Sequence, residues 1–521
     1  MVIKMNTKRI AAGLLAVCMA LSLSACGGKG ASSGSMAGTS GTSVAQGERP
    51  TIKWLTTGDG SAKAINSDDR IVTEIEDRLG INLEIVIAPE NNTEKINVQM
   101  ASGDFPDVVT GAYGTAATQQ WIDNGMVIPL NDYFSSNPDM KAWCENDYAW
   151  TAADGQYYGV PFITQYNAAN NLIVMRRDWL DNLGLSYPTT LDEMKEVLNA
   201  FTYDDPDGNG KNDTYGYTAE KPNSTTGVTS FDWVFFGYGL PYADYALDAD
   251  GNVIPWFEDA SFVPAMNYIK DLWDSGVVDS ELMLNDGTKR EEKFYQGRAG
   301  AMQAPMYRHA SRHENSLRQV FPEASIAYGL PPAGPDGSMG LNKQGKDGFL
   351  TCITAACKAP DKAAAFINFM ISEEGNDLLR NGIEGIHYTK GADGSIQYNE
   401  EERAKDAFAD NGWAHALAFG SFYWPLESGY MPETETDRVR ALETVELATQ
   451  AQKPNLIKNK SQAEIASGKA LNDIVIQYFS DMLQGKITVE NGVRELSEKW
   501  RSQGGEEVLA QANELYKAQN Q

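Results

Sequence analysis

Histidine is scarce in this chain: His309, His313, His387 and His415 are the only four. His309 and His313 are spaced to share a helix face, but no nearby glutamate completes a His-Glu-x-x-His pattern, so zinc hydrolysis has no foothold. Cysteine is nearly as rare. Of five residues only Cys144, Cys352 and Cys357 lie beyond the first 26 positions, an odd number without metal-ligand spacing. Cys352 and Cys357 could pair, or all three could be buried thiols. Positive charge is also short, with 43 Lys and Arg against 71 Asp and Glu and a net charge of −28 at pH 7. That balance argues against nucleic acid as a partner and against charge-driven binding to anionic lipid. After residue 25 no run is apolar enough to span a bilayer.

What is present begins at the amino end. Lys8 and Arg9 precede an apolar run from Ile10 to about Leu23, which closes on Leu23-Ser24-Ala25-Cys26. A basic start, a short apolar stretch and small residues before a cysteine make a lipobox. Residues 1–25 then form a cleaved signal, and Cys26 becomes an acylated first residue that anchors the chain without spanning the membrane. Residues 26–49 are dominated by Gly, Ser, Ala and Thr, a flexible tether. Gly30-Ala31-Ser32-Ser33-Gly34 matches the serine-hydrolase elbow formally, yet it lacks the flanking strand and helix that motif requires.

The remaining length suits two lobes. Thr51–Leu55 reads as a strand, Ile71–Leu79 as an amphipathic helix, and Ile81–Ile87 as a strand with clean alternation. Asn92–Ala101 reads as a helix ended by Gly103, before a strand at Val108-Val109. This βαβα opening predicts an α/β fold with a mostly parallel sheet, whose ligands bind beyond the carboxyl ends of the strands. Gly348–Thr354 reads as a buried strand and Asp361–Ser372 as a helix.

Asp205-Pro206-Asp207-Gly208-Asn209-Gly210-Lys211-Asn212-Asp213 places side-chain oxygens at positions 1, 3, 5 and 9, with the Lys211 carbonyl at position 7. That is the first part of a calcium loop. Position 12 is Gly216 where an EF-hand carries glutamate, so Thr214 or a distant carboxylate must complete the shell of a structural Ca²⁺. A polar turn that binds nothing is the competing reading.

The lipobox and tether, Ser102-Gly103-Asp104-Phe105-Pro106-Asp107-Val108, Tyr158-Gly159-Val160-Pro161, Arg177-Asp178-Trp179-Leu180-Asp181, the calcium-type loop, Tyr295-Gln296-Gly297-Arg298-Ala299-Gly300-Ala301-Met302 and Gly382-Ile383-Glu384-Gly385-Ile386-His387-Tyr388 occur in order. Together they resemble the extracellular solute-binding lipoproteins of carbohydrate ABC importers, in particular the large calcium-loop subgroup that includes alginate-oligosaccharide-binding proteins. Thr214 departs from the alginate-binding relatives, which carry an acidic ligand there.

The resemblance implies a two-lobed periplasmic-binding-protein-like fold with a hinge and an interlobe cleft. Lobe one would hold 50–165 plus 349–385, and lobe two 166–348 plus 386–521. It further implies a monomeric, extracytoplasmic protein, held to the bacterial membrane by Cys26, that delivers an oligosaccharide to ABC permease subunits without cleaving it. Sugar faces stack on aromatic rings and sugar hydroxyls bond to planar polar groups. The expected cleft residues are therefore Tyr113, Tyr166, Asn167, Trp233, Trp256, Glu384, His387 and Trp424, with Trp179 and Trp273 assigned to the core. Carboxylates are too abundant for sequence to exclude a glycoside hydrolase or lyase, and a peptide-binding or adhesive lipoprotein is the third alternative.

Overall fold

The computed structural model describes residues 49–57, 69–88, 93–113, 115–145, 155–161, 171–223, 227–305, 309–342, 348–392, 395–406 and 435–520. Cys26, Tyr166, Asn167, Trp424, the signal and nearly all of the tether lie outside them.

Two sheets organise the described chain. In the first, β1 (Thr51–Thr57), β2 (Asn82–Ala88) and β3 (Val108–Tyr113) are parallel, joined by helices Arg70–Leu79 and Thr93–Ser102. β4 is Val160–Pro161. The second sheet holds β5 (Asn171–Arg176), β6 (Tyr215–Thr218), β7 (Ala299–Pro305) and β8 (Ile326–Tyr328). The chain then returns to the first sheet as β9 (Gly348–Ile353), giving orders β2-β1-β3-β9-β4 and β8-β5-β7-β6.

Alternation along β1 explains why both faces of the first sheet are covered. Ile52 and Trp54 enter a core with Ile71, Ile75, Phe366 and Ile367, whereas Leu55 enters the opposite core with Ile96, Trp121, Leu350 and Cys352. The Trp54 indole donates to Thr110 Oγ1 at 3.0 Å, so its one polar atom is satisfied inside the sheet. The first crossover helix starts cleanly because the Asp69 carboxylate accepts from Ile71 N and Val72 N, and it stops at Gly80 with φ of 64°. The second sheet is covered on one side by the largest core, running from Ile173 to Ala512, and on the other by Val174, Phe294, Met302 and Leu317.

The packing moves one expected boundary. Beyond residue 385, hairpin β10 (Tyr388–Lys390) and β11 (Ile396–Tyr398) and helix Glu400–Lys405 are fastened to helices flanking the first sheet. Tyr388 donates to Asp377 at 3.1 Å, Tyr398 donates to Asn381 at 2.7 Å, and Arg70 donates to Asp406 at 2.5 Å and to Glu402 at 2.8 Å. Helices from Gln462 onward join the large core through Leu471, Val475, Phe479 and Leu496.

All three thiols are free, with Cys144 and Cys352 buried and Cys357 half-buried. Cys352 and Cys357 pack into cores on opposite faces of the sheet, so they do not pair. Among the described residues no helix is long and apolar enough to cross a membrane.

Candidate functional site

Strand direction brings the relevant ends together. Tyr113, the last residue of β3, pairs with Gly348, the first of β9, and Pro161 at the end of β4 pairs with Leu350. The chain therefore leaves and re-enters the first sheet at the edge that carries the carboxyl ends of its parallel strands. The second sheet repeats the arrangement. Asn171, the first residue of β5, pairs with Pro305, the last of β7, and β6 runs parallel to β7 with Thr218 beside Met302. Both sheets thus present strand carboxyl ends to the segments that pass between them.

At that end of the second sheet lies a set of buried polar groups. Gln303, two residues before the end of β7, donates its amide to Asp232 Oδ1 at 2.5 Å. Asp232 opens the short helix Asp232–Gly237, and burial pushes its carboxyl up to about 7 against the opposing pull of the Gln303 and Trp233 N–H groups. Arg290 is buried 3.9 Å from Glu220 and 3.8 Å from Glu291, and Arg312 lies 2.7 Å from Glu291. Gln303 Oε1 and Arg290 Nε are buried without a hydrogen-bond partner. His309 opens a π-helical turn, His309–His313, that places its ring 5.5 Å from that of His313. Burial drives the His309 imidazole down to about 3, so it is neutral at physiological pH.

The expected site residues divide. Tyr113 ends β3 at the shared edge. Glu384 is exposed on the turn between Gly382 and Gly385, whose φ values are 87° and 83°. His387 does not reach a cleft: it is fully buried, accepts from Ile383 N at 2.8 Å through Nδ1, and meets Asp406 at 2.8 Å through Nε2. Burial lowers the His387 pKa. Burial would raise that of Asp406, but hydrogen bonds from Arg70 and His387 leave it below the usual carboxylate range. Trp233 and Trp256 are also core residues. Trp233 is 0% exposed and donates its indole to Ser230 O at 3.2 Å. Trp256 is enclosed by Phe235, Tyr242, Phe257 and Phe262. Neither ring offers a free face for stacking. Trp179 is core as expected, and Trp273 packs half-buried against the same core.

Sequence reasoning passed over Asp232, Gln303 and Arg290. One signal was available: Asp232 is an acid heading the apolar run Trp233-Val234-Phe235-Phe236, where an uncompensated carboxyl is costly.

The acidic loop forms a tight turn, with φ of 50° at Asp205, 67° at Gly208 and 75° at Gly210. Asp205 accepts from Asn209 N and Gly210 N, each at 3.0 Å. The Asn209 amide nitrogen donates to Asp207 at 2.7 Å and to Asp213 at 3.2 Å, so two carboxylates converge on one point. The side chain of Asp205 is turned to backbone, and among the described residues no three His, Cys, Asp or Glu are grouped closely enough to hold a metal ion. Thr214 does not complete the shell, because it is buried and donates to Phe201 O at 2.8 Å.

The bacterial extracellular solute-binding protein model matches residues 67–377, well over half of the chain. The chain belongs to that family. A curated relative, the polygalacturonan/rhamnogalacturonan-binding protein YtcQ of Bacillus subtilis (strain 168), is 27% identical over 460 residues, covering 86% of this chain and 88% of its own. Among solved structures, the HMO binding ABC-transporter associated solute binding protein of Bifidobacterium longum infantis ATCC 15697 superposes with TM-score 0.73 at 18% identity, covering 90% of this chain and 98% of that one. The alginate-binding protein AlgQ2, solved without calcium ion, gives TM-score 0.67 at 20% identity, covering 91% and 99%. The mixed α/β architecture is that of substrate-binding proteins.

Proposed function

We propose that this chain captures an oligosaccharide between the facing ends of its two sheets and passes it, chemically unchanged, to an ABC importer. The observation that carries the reading is the shared polarity of the sheets, whose strand carboxyl ends meet the chain crossings from both sides. Ligands of open α/β sheets bind at such ends. Family membership and the glycan named for YtcQ support a sugar as the ligand. The ABC-associated Bifidobacterium structure supports an importer as the recipient. Tyr113 at the end of β3 and the crossing residues Tyr166 and Asn167 would supply sugar contacts, with Trp424 as a stacking platform and Glu384 nearby. Rotation of one sheet toward the other would then close on the ligand, a hinge motion that an importer can read.

The leader-like start supports an activity outside the membrane, where an acyl chain on Cys26 would be the anchor. The loop Asp205–Asp213 would hold a structural Ca²⁺ through Asp205, Asp207, Asn209, the Lys211 carbonyl and Asp213. The oxygen-rich donor set suits a hard cation. Rotating the Asn209 amide exchanges its nitrogen for Oδ1 at the point where Asp207 and Asp213 converge.

Thermal melting of the protein lacking its leader, against a broad glycan panel, tests the reading, because a ligand of the folded state raises Tm. Product analysis after incubation with the best ligand tests the absence of turnover. Cleaved product would move the chain to the glycoside hydrolases or lyases.

A further inference from the structure

The charge arrangement at the end of the second sheet bears on which glycan is bound, an inference that rests on the ligand being a glycan. Among the described residues, the arginines there already face carboxylates. Arg290 stands between Glu220 and Glu291 at 3.9 and 3.8 Å, Arg312 reaches Glu291 at 2.7 Å, and Arg318 reaches Glu314 at 2.9 Å. Arg440 shares Glu314. Each of these guanidinium groups already has a carboxylate within 4 Å, so a ligand carboxylate would compete with one in place.

Asp232 is the opposite case. It is buried, it makes no ion pair among the described residues, and its hydrogen bonds come from neutral donors, Gln303 Nε2 and Trp233 N. A second carboxylate brought toward it would meet a like charge with little water between them. Of two unpartnered atoms, the acceptor points the same way. Gln303 Oε1 is an acceptor and Arg290 Nε a donor, both buried without partners. A hydroxyl both donates and accepts, so sugar hydroxyls or the waters they displace answer both needs. A uronate carboxylate cannot donate to Gln303.

We propose that the sugar residue held against the second sheet is uncharged, and that Asp232 is a specificity-determining residue that turns uronic acids away. The relative named for polygalacturonan would then differ from this chain in the charge of its ligand.

Matched ligands that differ only in charge test the idea. Calorimetric titration at pH 8 would compare oligogalacturonides with their methyl esters and their carboxyl-reduced forms, alongside neutral fructooligosaccharides. The expected result is that neutral members bind at least tenfold more tightly than the acidic oligogalacturonide of the same length. Acidic oligogalacturonide binding as tightly as its ester, or more tightly, would overturn the inference and leave glycan binding intact. A protein that binds no member of this set or of a broad glycan panel, with melting showing it folded, would lose both readings. Asp232→Asn isolates the residue, since asparagine still accepts from Gln303. In a variant with an unimpaired melting curve the preference for neutral over acidic ligand should shrink several-fold at pH 8 and change little at pH 5. A ratio that does not move at pH 8 would remove Asp232 from the account.

Discussion

Gln303 holds Asp232 across 2.5 Å in a fully buried contact, and among the described residues no cation shares the carboxylate. The pair joins β7 to the start of the helix Asp232–Gly237, 71 positions apart in sequence. Its cost is pH-dependent. The Asp232 carboxyl titrates near 7 when folded, well above the ordinary value for aspartate near 4. Its neutral form is therefore fully accommodated below about pH 4, and stability is lost as pH rises from there through about 7. Asp232→Asn should raise stability at pH 8 by up to about 4 kcal/mol and have little effect at pH 4. Equal melting shifts at the two pH values would contradict this.

His309 imposes the opposite slope. Its folded pKa of about 3 lies below the ordinary imidazole value near 6.5. Stability from this group is present above about pH 6.5 and falls as pH drops toward 3, by about 2 kcal/mol at pH 5. Replacing it with glutamine, which does not titrate, should flatten the melting profile between pH 7 and pH 5. Denaturant unfolding at the two pH values gives the difference directly. An unchanged slope would mean that His309 is not the group responsible.

Calcium held by the acidic loop would bear on the fold more than on sugar contact, because the loop follows the helix Leu191–Tyr203 directly and leads into β6. Excess Ca²⁺ should raise Tm relative to chelator, and Asp207→Ala should abolish most of that shift, since hard cations depend on the number of charged ligands. Coincident curves for the native protein would make Asp205–Asp213 an ordinary polar turn.

Two tryptophans should respond differently. Trp233→Ala removes a fully buried ring and should cost about 3 to 5 kcal/mol of stability. Trp424→Ala, if the ring stacks on sugar, should leave melting nearly unchanged and weaken binding by about tenfold, or 1 to 2 kcal/mol. Titration and melting of both variants separate the roles. A stable Trp424→Ala protein with native affinity would assign that ring to packing.

The local pattern of the first sheet was legible. Alternation in Ile81–Ile87, the amphipathic Ile71–Leu79 and the apolar Gly348–Thr354 each gave an element within a residue or two of the observed bounds. Trp233 and Trp256 misled because a helix buried on all sides shows no periodicity. Asp232 to Gly237 is buried at every position, which from sequence looks like an aromatic loop flanked by glycine. His387 misled for a different reason. Its partners, Asp406 and through it Arg70, lie 19 and 317 positions away, and a hydrogen-bond network of that reach leaves no trace in spacing. The same network ties described residues of the segment 386–406 to the helices flanking the first sheet.

The place of β9 inside the first sheet sets an order of assembly. That strand lies between β3 and β4, yet it is made only after every strand of the second sheet. As the chain emerges from its amino end, the second sheet can close while the first still lacks an inner strand. Until residue 353 arrives, Tyr113 and Pro161 face a gap where Gly348 and Leu350 will pair. An exported chain with this topology carries an open sheet edge through most of its passage, and its need for a holding chaperone should end abruptly once β9 is in place.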